Sequence, residues 1–138
     1  MMIYIYLGAF FAVILGIFLA WKNKPIRMNL KMFYDSWQTL QKLLAKKETW
    51  PQAIIDADKL LDIALKQRHF KGKTMGERLV SAQRQIIDND AVWFAHKLSN
   101  KLETNPKMKL TKGDTKEALV GFRKALVNLG ALSNGKTK

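Results

Sequence analysis

The chain contains no cysteine. Disulfides, thiolate nucleophiles, CxxC redox chemistry and cysteine-ligated zinc are thereby excluded, and the composition suits a reducing compartment. Histidine is almost as scarce: His69 and His96 are the only two, too few and too isolated for a histidine-built metal site. None of Ser36, Ser81, Ser99 and Ser133 sits in a GxSxG frame, so nucleophilic catalysis has no visible candidate. Sustained period-two alternation is missing, as are fixed-period repeats and low-complexity runs, which argues against a sheet and against a solenoid. Acidic residues are few: 11 Asp plus Glu stand against 24 Lys plus Arg, for a formal charge of +13. Such a balance attracts nucleic acid, anionic head groups or acidic proteins, or serves as a solvated lysine surface.

Charge is absent altogether before Lys22. Met1 to Trp21 is one apolar run, about the length a helix needs to cross a hydrocarbon core, and it predicts a single transmembrane anchor over 1–21. Tyr4 and Tyr6 near one end and Trp21 at the other are placed where amphipathic rings favour the interfaces. A cleaved signal peptide is the rival, but the run lacks a positive leading region and a small-x-small site before Lys22. Lys22, Lys24, Arg27 and Lys31 follow with no acid before Asp35. The positive-inside rule therefore places the remainder in the cytoplasm, on the inner membrane, with Lys22, Lys24 and Arg27 against lipid head groups.

The remaining chain is long enough for one small core. Pro25 marks a basic juxtamembrane linker over 22–29, and helical spacing predicts an all-α bundle of about five helices over 30–132, ahead of a polar tail at 133–138. A first helix has Asn29 as N-cap and the stripe Leu30, Phe33, Tyr34, Trp37, Leu40 and Leu44. A second starts at the capping-box string Thr49-Trp50-Pro51-Gln52 and runs to Arg68. A third follows Thr74-Met75-Gly76-Glu77, and a fourth runs from Asp88-Asn89-Asp90 to Asn105-Pro106. A fifth starts at Thr111 and is closed by Gly130.

Gly72-Lys73-Thr74 is like the end of a phosphate-binding loop, but the glycine required five positions earlier is Gln67 and a helix stands where a strand is needed. The string reads instead as a turn into a helix cap. Asp58 and Asp62, four apart, read as a solvated helix face with Lys59 and Lys66. His96 reads as a packing or hydrogen-bonding residue, and no metal or cofactor is expected.

Three strings, taken in order, carry a resemblance. Ala57-Asp58-Lys59-Leu60-Leu61-Asp62, then Gly72-Lys73-Thr74-Met75-Gly76-Glu77-Arg78-Leu79, then Val92-Trp93 with Ala95-His96-Lys97-Leu98 and Asn100, resemble a family of short bacterial proteins, often with an N-terminal anchor. These look like divergent members of the HEPN superfamily of helical bundles. The resemblance covers most of Trp50 to Leu132 and implies a helical fold that commonly forms a homodimer. In members that cleave RNA, an Arg, usually followed by a polar residue, precedes a His with four to six residues between the two. The matching positions here are Ser99, Asn100 and Thr104, with Asn105 or Pro106 at looser spacings, so both catalytic types are missing. Ser99 and Thr104 are expected on one side of their helix. The combined expectation is a membrane-anchored, non-catalytic module that binds an anionic partner, RNA or protein. Lys97, Asn100, Lys101, Lys107, Lys109 and Lys112 are the candidate binding residues, since only Glu103 opposes these lysines in the sequence between them. The alternatives are a structural partner of another membrane protein and a divergent ribonuclease.

Overall fold

Six α-helices and two short 3-10 turns make up the chain in a computed structural model that describes residues 2–22 and 28–134. No strand occurs among the described residues. The first helix, α1 (Met2–Lys22), contains a span, Met2–Ala20, long and apolar enough to cross a membrane. It packs against no other described element, and Tyr4 and Tyr6 stand exposed near its start. The side chains of Trp21 and Lys22, together with Lys24 and Arg27, lie outside the described residues.

The bundle is α2 (Leu30–Lys42), α3 (Trp50–Gln67), α4 (Met75–Ala82), α5 (Asn89–Thr104) and α6 (Lys112–Asn128). Helix α3 is central and touches all four others, whereas α2 packs on α3 and on the 3-10 turn that directly follows it and makes no close backbone contact with α6. Phe33 and Leu40 from α2, Ile54 and Leu61 from α3, and Phe122 and Leu126 from α6 meet in one core with Leu79, Val92 and Leu102. The helical stripes read from spacing are these buried faces. The α2 stripe is narrower than its sequence suggests, because Leu30 and Tyr34 are more than half exposed.

Local chemistry places most helix ends. Asn29 accepts the Met32 amide, Asp88 that of Ala91 and Thr111 that of Asp114, each capping an orphan donor of a first turn. Thr74 accepts the Glu77 amide, while the Glu77 carboxylate takes the Lys73 N–H at 2.6 Å. Thr49 departs from the capping-box expectation. Its hydroxyl donates to the carbonyls of Leu43 and Lys46, and Trp50 Nε1 donates to Leu44 O at 2.9 Å. Both side chains thus serve the 3-10 turns Leu43–Ala45 and Lys47–Thr49 that join α2 to α3. At the other end of α6, Gly130 at φ 79 lets the Ala131 amide reach Leu126 O and its own amide reach Val127 O, the paired bonds of a Schellman ending. His69, at φ 59, ends α3 in the same way.

Helices α5 and α6 share the most extensive pairing in the bundle, and Ala91 of α5 comes close to Gly121 of α6. A Cβ there would lie 2.6 Å from the Ala91 carbonyl oxygen. Alanine would gain about 1 kcal/mol of helix propensity, but forcing backbone apart at a packed contact costs about 1–3 kcal/mol. Gly121→Ala is therefore expected to destabilise the bundle, and an unchanged or raised urea midpoint would show that α5 and α6 separate freely.

Candidate functional site

Helix α3 presents Asp58 and Asp62 to its neighbours, and both are engaged. The solvated carboxylate face expected from their spacing is not what the fold presents. Asp58 is buried and its Oδ1 lies 2.9 Å from Nδ1 of the equally buried His96 on α5. Asp62 receives the fork of Arg78 on α4, with Nε at 2.7 Å and Nη2 at 3.0 Å, while Arg78 Nη1 donates to Gly72 O at 2.8 Å. Lys66 adds a longer contact to Asp62 at 3.4 Å. His96 is thus the hydrogen-bonding residue its setting suggested. The Gly72-Lys73-Thr74 string is the expected turn, and Gly72 is needed in it because a Cβ would meet the Arg78 amide nitrogen at 2.7 Å.

These pairs join the three segments that carried the resemblance. Trp93 meets the His96 ring edge-on with centroids 5.9 Å apart, and Gly76 sits close to the Trp93 ring. Asn100 Nδ2 is 3.5 Å from His96 Nε2, at the outer limit of a hydrogen bond. Beyond this cluster α5 turns outward. Lys97, Asn100, Lys101 and Thr104 are exposed at three- and four-residue spacing, on the side opposite Ala95, Leu98 and Leu102.

Ser99 and Thr104 do not share a side of α5. Five residues rotate a helix by about 140° net, and Ser99 is fully buried while Thr104 is exposed. Thr104 spends its hydroxyl on its own helix, donating to the carbonyls of Lys101 and Asn100. The Ser99 hydroxyl has no partner among the described residues. A buried, unsatisfied hydroxyl costs about 1–3 kcal/mol, so Ser99→Ala is expected to raise stability by about 1 kcal/mol, read as a higher urea midpoint. A lowered midpoint would mean that the hydroxyl is bonded in solution.

Lys107 and Lys109 are exposed in the segment between α5 and α6, and none of Lys97, Lys101, Lys107, Lys109 and Lys112 forms an ion pair among the described residues. Lys112 opens α6 and lines a different feature, a groove between α2 and α6, together with Lys116 and Arg123. The sequence reading did not group Lys116 and Arg123 with Lys112. Their helical spacing was a usable signal, since 112, 116 and 123 fall on one stripe. Among the described residues no cluster of His, Asp and Glu is arranged to hold a metal ion. Compared with known proteins, the chain matches no family model, no curated protein and no solved structure.

Proposed function

We propose that the chain is a single-pass inner-membrane protein whose α2–α6 bundle, a HEPN-like module without the cleavage pair, lies in the cytoplasm and binds an anionic partner, RNA in the first instance, on the outward face of α5. What supports this reading is where charge is neutralised. The inward carboxylates of α3 are taken up by His96 and Arg78, while Lys97 and Lys101, one turn apart beside Asn100, are left to solvent with no described counter-ion. Lys107 and Lys109 extend the cationic run past the end of α5. An acidic protein surface is the other partner of matching charge. The module acts as a binder, because Ser99 is buried, Thr104 is bonded to its own helix, and neither is suited to stabilising phosphate charge or moving a proton.

Binding of single-stranded RNA to the full chain in detergent should weaken steeply with salt, since each neutralised phosphate releases counter-ions. Changing Lys97, Lys101, Lys107 and Lys109 to Gln should flatten the log–log slope by up to about 3, with the RNA left uncut throughout. An unchanged slope would remove this face from the account, and cleavage that tracks the protein through purification would end the non-catalytic reading. For the anchor and its orientation, the chain should stay in the membrane pellet after a carbonate wash, and a C-terminal tag should resist protease until the inner membrane is opened.

A further inference from the structure

The groove between α2 and α6 plays no part in that binding face. It exists because α2 rests on α3 without closing onto α6. Two adjoining cavities of about 380 Å³ and 320 Å³ form it, and both are lined by Trp37, Gln41 and Arg123. The α2 wall is uncharged, with Leu30, Tyr34 and Trp37 along it. The α6 wall carries Lys112, Lys116 and Arg123 beside the half-exposed Val120, and among the described residues no carboxylate lines either cavity. Leu30 and Tyr34 are 57% and 55% exposed at one end. Trp37 is buried, yet its indole N–H has no acceptor among the described residues.

An uncharged aromatic wall facing a cationic one suits an amphiphilic, anionic surface: rings and aliphatic groups favour the boundary layer, cations the phosphates. The chain keeps such a surface within reach. Seven residues, Asn23 to Asn29, separate the end of α1 from Leu30, a tether of about 25 Å when fully extended. We infer that this groove is a membrane-docking face, seating the bundle on the anionic phospholipid of the bilayer that holds α1, with Lys112, Lys116 and Arg123 on lipid phosphates and Leu30, Tyr34 and Val120 at the head-group boundary. The inference rests on the anchor reading. It moves Lys112 from the α5 face to the lipid face. It is preferred to an acidic partner helix because the groove begins at Leu30, the first residue past the tether, so the bilayer that holds α1 stays within about 25 Å of that end and has a high effective concentration there.

The lack of native cysteine allows a single nitroxide label on the full chain, placed at Val120→Cys and reconstituted in nanodiscs of phosphatidylcholine with or without phosphatidylglycerol. With phosphatidylglycerol the label should become several-fold more accessible to oxygen and less accessible to a water-soluble nickel chelate. Phosphatidylcholine alone, or Lys112→Glu with Lys116→Glu and Arg123→Glu, should return it to water. A label at Ile87→Cys, on the fully solvated turn before α5, should stay in water in both lipids. A chain that fails to insert into the discs removes the anchor reading and this inference together. Insertion with the Val120 label in water in both lipids overturns the docking face and leaves the anchor standing, the outcome an acidic protein occupant would produce. Equal protection in both lipids, or protection of Ile87 as well, overturns recognition of anionic lipid by this groove.

Discussion

Replacing Arg78 with Met should destabilise the bundle by about 3–5 kcal/mol, the usual cost of leaving one half of a largely buried ion pair behind. Arg78 is only 9% exposed and makes three charge-assisted bonds that tie α4 and the turn before it to α3. Without it, Asp62 retains among the described residues only Lys66 at 3.4 Å, itself largely in water, and the Gly72 carbonyl loses its donor. A solvent-screened lysine offsets little, typically under about 1 kcal/mol. Arg78→Lys should recover less than half of the loss, since one ammonium cannot span both Asp62 oxygens and the carbonyl as a planar fork does. Urea unfolding followed by helical circular dichroism measures both. A drop below about 1 kcal/mol for Arg78→Met would place the arginine among ordinary surface pairs.

The second large effect is expected at Asp58 and His96, and its size depends on which partner is changed. Each side chain is about a tenth exposed. His96→Leu leaves a carboxylate buried without its donor and should cost about 3–5 kcal/mol. Asp58→Asn keeps an acceptor for the Nδ1–H of His96 and should cost about 1 kcal/mol, the scale of one weakened hydrogen bond. The double replacement Asp58→Leu with His96→Leu removes both polar groups at once, so it should be more stable than His96→Leu alone. A double mutant no better than the sum of His96→Leu and Asp58→Leu, each measured alone, would show that the two residues act independently.

Helix number, most helix limits and the membrane-length run were legible in the sequence because each is decided by neighbouring residues. Apolar spacing at 3.6 residues marks a helix wherever it is later packed. Asn29, Thr74, Asp88 and Thr111 cap their helices through bonds spanning three residues. Thr49 fails as a cap for a reason that is also local: it ends a 3-10 turn at φ −101 and ψ 2, outside the extended backbone typical of an N-cap, and its side chain turns back to the carbonyls of Leu43 and Lys46. Charge spacing alone singles out Lys97, Lys101, Lys107, Lys109 and Lys112; all five are exposed, but Lys112 lines the α2–α6 groove.

Other features waited on tertiary structure. Spacing puts Asp58 and Asp62 on one face of α3, but only packing shows that the face looks inward, to His96 38 residues on and Arg78 16 residues on. The same holds for Ser99, whose burial depends on what covers α5, and for Gly121, whose missing side chain matters only because Ala91 approaches it. The α2–α6 groove is the plainest case, since neither helix carries a mark that the other will stand across from it. Local hydrogen bonding and hydrophobic period act within a few residues and can be read along the chain. Which charges are paired and which walls face each other is set by how helices far apart in sequence close on α3, and no single segment encodes that.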